Sequence, residues 1–433
     1  MSDPVFGFIS FLLLLLIIAC RIPVAIAMGT VGIIGGMIVN GFSSVSFIVG
    51  SLPFETIFPY GLSIVPLFIL MGVIAAQAGL SKDLYKATQA FVGHFKGGLA
   101  MSTVGACAAF GSICGSSLAT VATMARVALP EMKRAGYDEN FAAASVAAGG
   151  TLGVLIPPSI IMVIYAILTE ESVGQMFAAA ILPGLLATIL YMLAIHYKVR
   201  FDPKSGPANP AFSYAQRIRA VIGVWHVALL FSVVIGGIYI GWFSPTEAAA
   251  VGVLGALVLA VIKQKMTVAL LKNAMLETAS ISGMIFLILV GTSLFNFFIE
   301  STMLPQVLVE WVTELNINRY IVLLVLLLFF IVLGMFMDAL SMILLTLPFV
   351  FPLITSLDFN PIWFGILMVS VVEIGLITPP VGMNLFILIG IDKKLHIAAV
   401  SKAIILFVVA DIIRIGVLIL LPELSLWLPS RML

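Results

Sequence analysis

Charge is scarce in this chain. Asp, Glu, Lys and Arg make up 9% of its 433 residues, against about 25% in soluble domains, which excludes a soluble globular protein. The charge that exists is balanced, with 21 Lys and Arg against 20 Asp and Glu. There is thus no basic surface for nucleic acid and no acidic disordered run. Cysteine is limited to Cys20, Cys107 and Cys114, all in apolar stretches without ligand spacing, so neither a disulfide framework nor a zinc site is expected. No G-x-x-x-x-G-K-[ST] and no H-E-x-x-H occurs, which removes a P-loop and a zinc protease. The first 20 residues lack the basic start and small-residue cleavage site of a secretory signal, and they read as a retained first membrane helix.

Hydrophobic residues fill the remainder, at 62% of the chain. Uncharged segments recur at 4–20, 22–54, 56–81, 97–125, 140–169, 220–246, 278–299, 339–357 and 374–391. Each supplies most or all of the ~20 apolar residues that carry a helix across ~30 Å of hydrocarbon. The expected class is an all-α polytopic membrane protein whose solvent is the lipid bilayer.

The distribution of Lys and Arg sets an orientation, because short basic loops are retained in the cytoplasm. With the N-terminus outside, the inner loops take Arg21, Lys133, Arg134, Lys198, Arg200 and most other basic residues. The outer loops take Glu55, Glu170, Glu171, Glu300, Glu310, Glu314 and Asp358.

A polar, proline-bearing interruption near mid-chain separates two halves, and an offset of 222 residues relates them. Pro23 maps to Pro245, Pro130 to Pro352, Gly153 to Gly375, and Pro157 and Pro158 to Pro379 and Pro380. The matched helices run in opposite senses, so the repeats read as inverted, a pattern of secondary transporters with a midplane site. The organisation expected is a first repeat at 1–200, a cytoplasmic linker at 201–219 and a second repeat at 220–433.

Each half contains two elements that look broken. Between Lys96 and Lys133 the polar patch GSICGSS, Gly111 to Ser117, interrupts an apolar run after 14 residues. That is ~21 Å of helix, too short to cross. A re-entrant hairpin at 97–133 follows, with a partner at 320–357 whose tip lies near Gly334 to Ser341. The second element is the Gly-x-x-x-Pro-Pro stretch, within 140–169 and again within 361–391. Adjacent prolines remove two backbone donors and force unwinding. Irregular backbone at membrane depth is tolerated only inside protein or beside a wet cavity.

Ionisable groups inside apolar segments are functional candidates by default. Asp338 stands out, because it falls at the second hairpin tip opposite Ser116. Glu373 precedes a break and could bond freed donors or line the site. Glu247, after Ser244 and Pro245, reads as part of a helix cap. Asp411 and Arg414 are spaced to pair on one helix. Arg126 falls toward the cytoplasmic mouth, with ion pairing as its default role. The hydroxyls of Ser112, Ser116, Ser117, Thr120, Ser159, Ser341 and Thr378, with Asn384, offer neutral oxygens beside unpaired carbonyls. That donor set favours a hard monovalent cation, sodium before a proton. Half-helix N-termini after Ser117 and Ser159 favour an anionic substrate.

The motifs GSICGSSLATVATMARVALPEMKRAGYD at 111–138, AAGGTLGVLIPPS at 147–159, SPTEAAAVGV at 244–253 and EIGLITPPVGMN at 373–384 resemble one family across essentially the whole chain. It is the large membrane subunit of tripartite ATP-independent periplasmic (TRAP) transporters, the DctM-like M component. The resemblance implies a sodium-coupled elevator importer in the bacterial inner membrane. It also implies a separate small membrane subunit, the Q component, and a periplasmic substrate-binding protein, the P component, that delivers a carboxylate. The cargo would be a C4-dicarboxylate, a sialic-acid-type sugar acid or another organic acid. No organic cofactor and no enzymatic activity are implied. Carried onto this sequence, the Na+ ligands fall among Ser112, Gly115, Ser116, Gly153, Pro157, Asp338, Ser341, Gly375, Thr378 and Pro379. Substrate contacts fall on Ser116, Ser117, Ser159 and Asn384. Two other readings stand beside it: a stand-alone sodium/dicarboxylate elevator carrier that needs no binding protein, and an intramembrane serine hydrolase.

Overall fold

A computed structural model describes residues 3–20 and 22–432; Arg21, used above for orientation, lies outside them. Every regular element described is helical. The first half contains α1 (Asp3–Ala19), α2 (Val24–Ile57), α3 (Ile64–Gln77), α4 (Leu80–Val92), α5 (Gly98–Cys114), α6 (Ser117–Arg134), α7 (Glu139–Leu155), α8 (Ile160–Leu168) and α9 (Val173–Phe201). The second contains α10 (Tyr214–Tyr239), α11 (Pro245–Ile262), α12 (Val268–Ser301), α13 (Leu304–Glu314), α14 (Arg319–Gly334), α15 (Ala339–Ser356), α16 (Pro361–Ile377), α17 (Met383–Ile391), α18 (Ile397–Leu420) and the short α19 (Glu423–Leu426).

Among the described residues, nine helical stretches are long and apolar enough to cross a membrane, and the protein is a multi-pass membrane protein. Three of them, α9, α11 and α18, lie wholly or almost wholly outside the uncharged segments named above. In α18 the reason is plain, since Lys402, Asp411 and Arg414 interrupt its apolar run. The polar connector is shorter than the sequence suggests. Helix α9 extends to Phe201, and a capping box of Ser213 and Gln216 starts α10 at Tyr214.

The 222-residue offset reappears in the helix boundaries. Shifting α6 and α7 by that amount reproduces the spans of α15 and α16. In each half a helical hairpin packs on a buried helix, α5 and α6 on α7, α14 and α15 on α16. Helix α7 is buried from Phe141 to Leu155 and α16 from Ile362 to Ile377, so these two form the centre of the core and pack against each other. Outside them the long helices α2 and α12 run together, and α3 packs on α11. Helix α2 kinks at Gly41, whose φ of 80° a side chain would disfavour.

Several loops meet on one side. The Gly97 N–H donates to the Gly206 carbonyl at 2.9 Å and the Asp138 N–H to Ser205 at 3.1 Å. Lys263, at the end of α11, pairs with Asp83 of α4. Both feet of the first hairpin and the mid-chain connector therefore share that side.

Candidate functional site

The first hairpin tip is sharper than the polar patch suggests. Helix α5 continues through Gly111 and Ser112 to Cys114, 17 residues rather than 14, or ~26 Å. Glycine and serine stay helical here because Ser112 Oγ donates to the Ala109 carbonyl at 2.8 Å and Gly111 lets α5 approach α7. A methyl at Gly111 would lie 2.5 Å from Gly153 Cα. The helix stops at Gly115, with φ at +62°, a conformation that glycine adopts without strain. Ser116 then caps α6, its Oγ accepting from the Ala119 N–H at 3.4 Å. The half-helix thus begins after Ser116 rather than after Ser117.

This tip rests on the first break. The Ser116 carbonyl accepts from Thr120 Oγ1 at 2.7 Å. A methyl at Gly153 would meet Thr120 Oγ1 at 2.7 Å and the Ser116 oxygen at 3.1 Å, and one at Gly115 would lie 2.8 Å from the Pro158 oxygen. Helix α7 ends at Leu155 and α8 starts at Ile160, so Pro157 and Pro158 sit in the gap. Ser159 precedes α8 with its hydroxyl fully buried and no hydrogen-bond partner among the described residues.

The second tip repeats the plan with a carboxylate. Asp338 caps α15: one oxygen accepts from the Ser341 N–H at 3.0 Å and the other from the Ser341 hydroxyl at 2.5 Å. A carboxylate offers about four lone-pair sites, so acceptor capacity is left over. Gly375 crosses Gly334 as Gly153 crosses Gly111, since a methyl there would lie 2.6 Å from Gly334 Cα. The second break, with Pro379 and Pro380, separates α16 from α17. Thr378 at its edge returns its hydroxyl proton to the Ile374 carbonyl at 2.5 Å. Asn384, in the first turn of α17, reaches across the repeats: its Nδ2 lies 2.8 Å from Ser117 Oγ and 3.1 Å from the Ala147 carbonyl.

The two tips converge on one cavity of about 150 Å³, lined by Gly115, Ser116, Ser117 and Asp338, by Ile160 and Ile161 after the first break, and by Glu277 of α12. Of the residues expected from the sequence, Gly115, Ser116, Ser117 and Asp338 line it. Ser112, Gly153, Pro157, Ser159, Ser341, Gly375, Thr378, Pro379 and Asn384 lie within the hairpins and breaks rather than on its wall. Glu277 was missed. It stands at the charged edge of the apolar run from Thr278 to Ile299, where sequence alone gives no sign that it faces the tips.

Four other candidates, Glu373, Asp411, Arg414 and Glu247, resolve into structural roles. Glu373 does not line the cavity; it pairs with Arg414 at 2.7 Å. Arg414 also pairs with Asp411 at 3.1 Å and donates to the Ser370 carbonyl at 3.2 Å. Tyr191 donates to the other Asp411 oxygen at 2.7 Å. Asp411 and Arg414 do meet, within a fully buried cluster that joins α9, α16 and α18. Glu247 completes a capping box with Ser244 at the start of α11. Arg126 is exposed and makes no ion pair among the described residues.

Among the described residues no group of three or more His, Cys, Asp or Glu is arranged to hold a metal. The tips and breaks instead offer hydroxyls, carbonyls and one carboxylate. Such oxygen donors fit a hard cation, and the unpartnered Ser159 hydroxyl is free to serve one.

Residues 11–424 match the family described as Tripartite ATP-independent periplasmic transporter, DctM component. The chain is 37% identical to the C4-dicarboxylate TRAP transporter large permease protein DctM of Pseudomonas aeruginosa, over 87% of this chain and 88% of that one. It is 34% identical to the ectoine TRAP transporter large permease protein TeaC of Halomonas elongata, over 94% and 95%. Its fold is shared with the YdaH transporter of Alcanivorax borkumensis, with a TM-score of 0.66 at 16% identity, over 99% of this chain and 98% of that one.

Proposed function

The chain belongs to the DctM component family of tripartite ATP-independent periplasmic transporters, and from that premise we propose that it is the membrane permease of a sodium-coupled importer of a small carboxylate. It is a transport protein and not an enzyme. The observation that carries the proposal is the convergence of two helical-hairpin tips, Gly115 to Ser117 and Asp338, on one cavity beside two discontinuous helices. The N-termini of α6 and α15 lie there, and their dipoles and the first-turn N–H groups left over after capping attract negative charge.

In this reading the two halves are inverted repeats and the hairpins are re-entrant. Helices α5 to α8 and α14 to α17 form a moving lobe against a scaffold that includes α2, α3, α11 and α12. Sodium enters as co-transported cargo, held by tip and break oxygens: Ser112, Gly115, Ser116, Gly153 and Pro157 on one side, Asp338, Ser341, Gly375, Thr378 and Pro379 on the other. Ser116, Ser117, Ser159 and Asn384 contact the substrate, with the Ser117–Asn384 pair coupling the two repeats. The side bearing Lys133, Arg134 and Lys263 faces the cytoplasm, and the N-terminus is periplasmic in the bacterial inner membrane. A separate Q component and a P component complete the system. The P component would supply much of the discrimination.

Reconstituted uptake tests this. Proteoliposomes with the chain and its Q component should import carboxylate only with an inward sodium gradient and added P component. Uptake without the P component would favour a stand-alone carrier, and uptake indifferent to sodium would overturn the coupling.

A further inference from the structure

The charge of the cavity points to the chemistry of its cargo. The two acidic side chains on its wall are Asp338 and Glu277, and among the described residues no Lys, Arg or His lines it. The two differ in how their charge is met. Asp338 accepts two hydrogen bonds at the N-terminus of α15, where the helix dipole offsets its charge. Glu277 lies inside α12, far from either terminus of a helix that runs from Val268 to Ser301. Among the described residues it forms no ion pair, and its hydrogen bond is a long one of 3.4 Å from Gln77 Nε2. A carboxylate without an ion pair, on a membrane-spanning helix and on the wall of the cavity between two hairpin tips, is a candidate for contact with the cargo. Facing it are Ser116, Ser117 and the N-terminus of the 18-residue α6. The cavity is therefore bipolar, with donors and a positive helix end on one wall and a free negative charge on the other.

We propose that Glu277 binds a cationic group of the cargo, so that the transported carboxylate is a compact zwitterion rather than a dianion. Its carboxylate faces the α6 tip and its ammonium, amidinium or quaternary ammonium faces Glu277. The volume of about 150 Å³ suits a small molecule of this kind. The inference rests on the carboxylate-importer reading and narrows it, since a second carboxylate on the cargo would be set against Glu277 without a compensating side chain.

A matched pair of probes tests it. Succinate and 4-aminobutyrate have similar length and differ in one end, carboxylate against ammonium. Half-saturating concentrations would be measured by thermal protection of the full chain in sodium, for wild type, Glu277→Gln and Glu277→Asp. The proposal expects wild type to prefer the zwitterion by about tenfold or more, Glu277→Gln to lose or reverse that preference, and Glu277→Asp to keep its sign. Glu277 is exposed, so melting without ligand should not change. A wild-type preference for succinate, or a preference that Glu277→Gln leaves unchanged, would overturn the proposal while the importer reading stands. Failure of both probes to protect wild type would overturn the proposal, because a compact zwitterion would then not bind the cavity, while the importer reading is decided separately by the uptake assay.

Discussion

Replacing Arg414 by Met should destabilise the protein more than any other single change in its buried polar cluster. The guanidinium lies 2.7 Å from Glu373 and 3.1 Å from Asp411, and all three side chains are essentially inaccessible. Its removal leaves two carboxylates facing each other in a site without solvent. Breaking a buried pair in this way costs about 3–5 kcal/mol, because the remaining charge is uncompensated. In a chain of this size that corresponds to a fall of roughly 3–6 °C in melting temperature. The assay is thermal unfolding of the detergent-solubilised chain. Arg414→Met should lower the melting point strongly, and Asp411→Asn less, since Arg414 keeps Glu373. Adding Glu373→Leu and Asp411→Leu to Arg414→Met should recover much of the loss, since apolar residues replace the whole cluster rather than half of it. An unchanged melting point for Arg414→Met, or a triple variant no better than the single, would refute the argument.

Gly153→Val should cost about 1–3 kcal/mol by overpacking, since even its first carbon meets Thr120 Oγ1 at 2.7 Å. It should also reduce uptake more than a surface change of equal size, and normal melting with normal uptake would show that the tip and break are not in close register. Ser244→Ala removes half of the capping box that starts α11 and should lower stability by about 1 kcal/mol without altering sodium dependence. A change in sodium response there, read by the same melting assay, would place Ser244 nearer the site than its hydrogen bonds do.

Much of the fold was legible because its constraints are local. Paired prolines mark the two breaks whatever the surroundings, the 222-residue offset survives as matching helix boundaries, and Ser244 with Glu247 announces a cap within four residues. The parts that were misread depend on distant partners. The Gly111–Ser112 patch reads as a break until α7 packs against it, so α5 looks three residues too short. Glu373 and Arg414 are about forty residues apart with no periodicity linking them, and a charge inside α18 hides its span. Ser117 and Asn384 are 267 residues apart, and Glu277 joins the cavity only because α12 crosses both tips. Arg126 shows the opposite error, since a charge in an apolar stretch is exposed and forms no ion pair among the described residues.

The proposed sodium site at the second hairpin tip is open to a direct test. Its test is the melting temperature of the purified chain in sodium chloride against choline chloride, for wild type and Asp338→Asn. Asparagine caps helices about as well as aspartate, so this change removes the charge and keeps the turn. Sodium at 100 times its Kd should add about 2.7 kcal/mol to wild type, a rise that choline does not give and Asp338→Asn loses or shifts to higher sodium. An equal sodium-specific rise in both proteins would contradict a role for the Asp338 charge. No rise in either would contradict sodium binding at the tips of the chain alone.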